Sequence, residues 1–254
     1  HYDDVMLITS HWRELLAALK DVTLAARRRG DRIHLVHALL TQASLLMVLE
    51  RDHTLIQPLV REALDMCRDH PQSVTPYWVY QAKIAHAALH ERRGDYRQAL
   101  EILRGIKDDV ADAVAQSGDP MLLRCVADVW YRFGMTCYYE TQCAHPTGSY
   151  REAIGYFRDA RTIAEAAGWQ RHAWRSITYL IQSAIFEDDL ETAHTLLQSY
   201  WQPIEQFGET RRIAGFAFGW ARYRWAMQQQ TIVAYTHYDV AARICRDLHR
   251  ALEA

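Results

Sequence analysis

An all-α fold of stacked helix pairs is what this sequence predicts, and three observations predict it. Apolar residues recur at helical spacing along the chain, and no segment keeps the period-two alternation of a half-buried strand. Gly and Pro are scarce, at 11 and 6 in 254 residues, which favours long helices over many short strands joined by tight turns. Ten short breaks carrying mostly Gly, Asp or Pro divide the chain into about eleven segments of several turns each.

The first helix is expected over residues 10–29. Trp12, Leu15, Leu16, Leu19, Val22 and Ala26 lie at helical spacing, Ser10 is suited to cap the start, and Gly30 to end it in the left-handed region. Asp31 can cap the next helix, which runs to about Glu50, and another follows from Thr54 to about Arg68. The breaks fall near Gly30-Asp31, Arg51-Asp52, His70-Pro71, Gly94-Asp95, Gly118-Asp119, Pro146 to Gly148, Gly168, Asp188-Asp189, Gly208 and Gln229.

The helices also repeat. Gly94-Asp95-Tyr96 leads into Ala99, Leu103 and Ile106, and Gly148-Ser149-Tyr150 leads into Ala153, Phe157 and Ala160. Looser copies are Ala193, Leu197 and Tyr200; Ala234, Tyr238 and Ala241; Ile56, Val60 and Ala63; and Ala18, Val22 and Ala25. The residue opening each motif recurs at 18, 56, 99, 153, 193 and 234, at intervals of 38, 43, 54, 40 and 41. The longest interval carries an excursion, Thr141 to Thr147, expected as a loop inside its repeat.

Trp130 to Gly134, followed by Tyr150, Ala153, Phe157 and Ala160, resembles the tetratricopeptide-repeat superfamily. The Gly94 to Ala99 segment resembles it next best, and the resemblance covers roughly residues 10–254. The intervals exceed that family's basic period of about 34. They look like the extended repeats of bacterial signal-transduction ATPases and regulators. The resemblance implies one domain over 1–254, a right-handed α-α superhelix of about five helix pairs after an N-terminal helix. The pairs would occupy about 31–69, 75–117, 119–167, 170–207 and 209–254.

Composition narrows the partners. A net charge of −2 gives no electrostatic reason to expect nucleic acid or an anionic membrane. No run of about 18 apolar residues could span a bilayer. The five cysteines, Cys67, Cys125, Cys137, Cys143 and Cys245, are odd in number and scattered, which fits a reducing, cytoplasmic setting. The chain begins at His1, and fusion to other domains of a longer protein is expected.

Chemistry-bearing clusters all have a simpler structural reading. His86 and His90 lie four apart, the spacing of two metal ligands on one helix, but no third ligand is identifiable, and a packed or surface pair is the ordinary reading. Cys137, Cys143 and His145 match no common zinc spacing. Glu187, Asp188, Asp189 and Glu191 stand at a helix start, where carboxylates cap and complement the dipole. No phosphate loop, nucleophile elbow or dinucleotide glycine pattern occurs. No catalytic residue, metal or cofactor is expected, and the chain is not expected to be an enzyme.

The resemblance implies that the first helix of each pair lines a concave groove. Its ligand-facing positions fall on Tyr131, Met135, Tyr138, Tyr139, Arg92, Arg175, Gln182 and Tyr223, with Gln81, Glu91, Asp128, Phe216 and Gly219 among their neighbours. The expected occupant is a peptide, a protein or a small-molecule inducer. The expected role is a non-catalytic sensor or scaffold module of a larger bacterial signalling or transcription-regulatory protein. The alternative is a structural adaptor or oligomerisation domain using the C-terminal helix, Thr231 to about Leu252. A metal-dependent helical-repeat enzyme ranks third.

Overall fold

The structure, a computed structural model, describes residues 12–48, 53–145, 148–207, 210–227, 239 and 241–243. The described residues contain ten long helices and no strand. These are α1 (Trp12–Arg29), α2 (Arg32–Val48), α3 (His53–Asp69), α4 (Pro76–Arg92), α5 (Tyr96–Ser117), α6 (Pro120–Ala144), α7 (Arg151–Ala166), α8 (Gln170–Phe186), α9 (Leu190–Phe207) and α10 (Thr210–Ala226). The expected adaptor helix after Thr231, and the breaks at Arg51-Asp52, Gly208 and Gln229, lie outside the described residues.

Helix ends follow local chemistry. Gly94 and Gly118 adopt φ of 79° and 62°, the left-handed region in which a Cβ is strained, and each reverses the chain after a helix. Asp188 does the same at φ 61°, a conformation that Asp tolerates better than most residues. Pro76 opens α4, where its missing N–H costs nothing. The Asp119 carboxylate accepts the Met121 N–H at 2.8 Å, and Asp189 accepts that of Thr192 at 3.1 Å. The excursion expected at Thr141 to Thr147 is shorter than the sequence suggests, because α6 continues to Ala144. Nothing from Glu140 to Ala144 breaks a helix, and Pro146 is the first residue that disfavours helix in the residue before it.

The chain divides into two compact units, Arg13–Ala144 and a second that begins at His145, and the boundary falls inside the third expected repeat. In the first unit consecutive helices from α2 to α6 pack on one another, and α2 also packs on α4 and α4 on α6. In the second, α7 packs on α8, α8 on α9 and α9 on α10, with α8 also against α10. The first helix α4 is thus covered by α2, α3, α5 and α6, and α8 by α7, α9 and α10, whereas the second helices α3, α5 and α9 pack mainly on the helices before and after them.

That difference is written in the residues. Among second helices, α3 buries a single stripe of Ile56, Val60, Ala63 and Cys67, and α7 one of Ala153, Phe157, Ala160 and Ala164. The first helix α6 buries residues nearly all round, from Leu122 through Cys125, Val129, Phe133 and Met135 to Tyr138. The helices α2, α4 and α6 begin at 32, 76 and 120, an even 44-residue step.

Four of the motif copies behave as expected, with Ile56, Ala99, Ala153 and Ala193 each fully buried. The earliest copy does not. Ala18 and Ala25 are exposed and Val22 is 43% exposed, while Leu15, Leu19, Thr23 and Ala26 face inward. Two leucines one turn apart hold more apolar area than two alanines and a valine, so they set which face of α1 is buried. The copy at Ala234 lies outside the described residues, apart from a buried Ala241.

Polar side chains join the helices of the first unit. Gln42 on α2 donates to the Thr23 hydroxyl at 2.6 Å and to the Leu19 carbonyl at 3.2 Å, fastening α1. Arg27 pairs with Glu62 at 2.6 Å across α1 and α3. His37 on α2 stacks on Trp78 of α4 with ring centres 4.7 Å apart.

Burial also grades the thiols. Cys67 and Cys125 are buried, and burial pushes their thiols up to about 11 and about 12, whereas Cys143 is exposed near the end of α6. A thiol-reactive label on the native chain, mapped by peptide mass spectrometry, should modify Cys143 and spare Cys67 and Cys125 until denaturant is added. Equal labelling of the three would contradict the burial of α3 and α6.

Candidate functional site

The eight expected groove residues fall on both units. Arg92, Tyr131, Met135, Tyr138 and Tyr139 belong to the first, and Arg175, Gln182 and Tyr223 to the second.

In the first unit Tyr131, Met135 and Tyr138 are buried, and their α6 positions are part of its all-round packing. The Arg132 guanidinium lies 5.8 Å from the Tyr131 ring centre, and Tyr138 meets Tyr139 edge-on at 5.4 Å. Tyr139 is half-buried. Arg92 is exposed overall and donates to the Met47 carbonyl at 3.1 Å, tying the end of α4 to α2. Arg92 and Tyr139 are thus the two positions with reachable side-chain surface.

In the second unit Arg175 and Gln182 are half-buried on α8. Tyr223 is buried and stacks on His194 at 5.2 Å with planes 13° apart, and Trp220 stands edge-on to it at 5.9 Å. The neighbouring Gly219 is a packing position. A Cβ there would meet Ile181 Cγ2 at 3.1 Å and Leu197 Cδ2 at 3.3 Å, so α10 approaches α8 and α9 closely because Gly219 lacks a side chain. Phe216, another expected ligand-facing residue, is fully buried.

Polar residues expected to face a ligand instead staple adjacent first helices. Gln81 on α4 donates to Asp128 on α6 at 3.0 Å. Glu91 is 6% exposed; it accepts from the Thr136 hydroxyl at 3.1 Å and pairs with Arg132 at 3.4 Å. Burial holds the Glu91 carboxyl above its ordinary value, against the lowering pull of Arg132 and of the Thr136 hydrogen bond. These pairings are invisible in a sequence, because each joins residues more than 40 apart that only the packing of α4 on α6 brings together.

The acidic cluster after α8 is structural as well. Glu187 accepts from the Ser149 hydroxyl at 2.8 Å and from the Tyr150 N–H, and pairs with Arg151 at 3.2 Å, holding the start of α7. Tyr150 stacks on Phe186 at 4.7 Å, and the Arg222 guanidinium lies 4.0 Å from the centre of the same Phe186 ring. Cys137 is buried while Cys143 and His145 are exposed. His86 and His90 are brought together on α4, Nε2 to Nε2 at 3.3 Å. Among the described residues no helix is long and apolar enough to cross a membrane.

The fold and these contacts define an all-α protein of helical-repeat arrangement. The crystal structure of BtubC (BKLC) from P. vanneervenii is similar to it, with a TM-score of 0.63 at 18% sequence identity, covering 93% of this chain and 92% of that one. At that identity the likeness concerns the fold alone. No protein-family model matches the chain, and no curated protein matches it.

Proposed function

We propose that this chain is a non-catalytic binding module of the tetratricopeptide type, a sensor or scaffold within a larger bacterial signalling or transcription-regulatory protein. One observation carries the reading. The first helices α2, α4 and α6 lie side by side in contact, one per repeat, so a ligand laid across them meets the same helix position of each repeat in turn. Arg92 and Tyr139 leave reachable surface on two of those helices. Arg and Tyr combine apolar area with hydrogen bonding and are favoured at binding hot spots. A peptide or the edge of a partner protein is the occupant this chemistry suits.

The test is selection from a random peptide library displayed on phage, using the immobilised 254-residue chain. An enriched consensus peptide is expected, with affinity at least about tenfold lower for Arg92→Ala combined with Tyr139→Ala. Both side chains are reachable, so helicity should survive the substitutions. Failure of any consensus to emerge, or equal binding by the double variant, would defeat this reading.

A further inference from the structure

His86 and His90 stand one turn apart on α4, on the same face of the helix. Their rings meet edge to face with centres 4.8 Å apart, and the two Nε2 atoms are hydrogen-bonded to each other at 3.3 Å. That separation suits two nitrogens that share a third centre. Tetrahedral coordination with metal–nitrogen bonds of about 2.0–2.1 Å places two ligating nitrogens about 3.3–3.4 Å apart.

The turn after α4 adds a second, independent feature. Gly94 takes a positive φ, its N–H bonds the Glu91 carbonyl, and the Asp95 N–H bonds the His90 carbonyl, both at 3.0 Å. This closure folds Asp95 back along the helix end. Its Oδ2 lies 3.5 Å from His90 Nδ1, a buried nitrogen with no hydrogen bond of its own. A carboxylate behind the non-ligating nitrogen is the arrangement that orients a metal-bound imidazole.

Protonation agrees with the geometry. Burial lowers the His86 proton affinity, and the neighbouring His90 and Arg93 lower it further. Arg93 carries a charge near His86 that opposes a metal ion, and its guanidinium is hydrogen-bonded to Gln57 of α3.

We propose that His86 and His90 chelate one divalent transition-metal ion of the zinc class, with Asp95 as the positioning residue behind His90. No three His, Cys, Asp or Glu side chains come together among the described residues, so water, or a donor atom of a bound partner, fills the remaining positions. Such a site is open, as metal sites that exchange ligands are.

Zn2+ added to the tag-free 254-residue chain tests the proposal. The long-range nitrogen–proton NMR spectrum should show the Nε2 resonances of His86 and His90 moving together. Calorimetry should count one equivalent fewer for His86→Gln combined with His90→Gln at unchanged helicity. The difference between chains matters because the sequence holds 13 histidines that could take up metal elsewhere. Asp95→Asn should weaken the site by about 10- to 100-fold, and uptake should fall in acid as protons compete for the imidazole nitrogens. Unmoved His86 and His90 resonances at saturating Zn2+, or equal stoichiometry in the double variant, would overturn it. The NMR measurement on the unaltered chain decides the matter even if the double variant fails to fold.

Discussion

Replacing Arg132 by methionine should destabilise the Arg13–Ala144 unit by about 3–5 kcal/mol at pH 7, and by clearly less at pH 5. The reason lies in Glu91. Its carboxylate is 6% exposed, and Arg132, whose side chain is only 22% exposed, is the cation paired with it. Methionine keeps much of the stem packing but leaves the Thr136 hydroxyl as the polar partner of a buried negative charge. An uncompensated buried charge costs far more than the net worth of the pair it came from.

The pH dependence has a definite sign. Burial already holds the native Glu91 proton affinity above its unfolded value. The native state therefore binds the proton more readily than the unfolded state, and stability from this group falls as pH rises above about 4.3. Without Arg132 the native value rises further and that window widens upward, so the loss grows with pH. Below the window Glu91 is protonated in both states and the penalty fades. Urea denaturation at the two pH values measures this directly. Adding Glu91→Gln to Arg132→Met should recover part of the loss at pH 7. A loss independent of pH, with no recovery in the double variant, would mean that the pair is not the source of the effect.

Phe157→Ala should cost the second unit about 3–5 kcal/mol. Phe157 is fully buried between Ala153 and Ala160 on α7, and its ring stacks on Tyr179 of α8 at 5.4 Å. The alanines on either side cannot move in to refill the space, so truncation leaves a cavity as well as losing the transfer free energy of a phenyl ring. Phe157→Leu should cost less, because more of the volume is kept. Val22 supplies the contrast. It holds the corresponding place in the earliest motif copy but is 43% exposed, so Val22→Ala should change stability by no more than about 0.5 kcal/mol. Comparable losses at Phe157 and Val22 would show that the α1 copy is packed like the others and that its register is not the one described.

Those two positions also mark how far the sequence is readable. The helices and most of their breaks follow from local signals, since φ preference at Gly94, Gly118 and Asp188 and capping by Asp119 and Asp189 act within a few residues. The motif copies at Tyr96 and Tyr150 are legible because a small residue must sit where helices approach and a large one must fill the gap beside it. The looser copy at Ala18 does not pack in the same way, because its face competes with Leu15 and Leu19.

The expected groove was less legible. A tyrosine at helical spacing reads alike whether it faces a ligand or a neighbouring helix. Tyr131 and Tyr138 turn out buried, Tyr139 half-buried, and Gln81 with Asp128 and Glu91 with Arg132 bound to one another. That the chain is helical, where most of its helices stop and which residues open the strong repeats could be read from residue order alone, because those depend on short-range sterics and the 3.6-residue period. Which polar side chains join helices, which aromatics stay reachable, and the return of Asp95 to stand behind His90 emerge from the packed helices. Those outcomes depend on distances between residues on different helices or across a turn, and helix packing sets such distances.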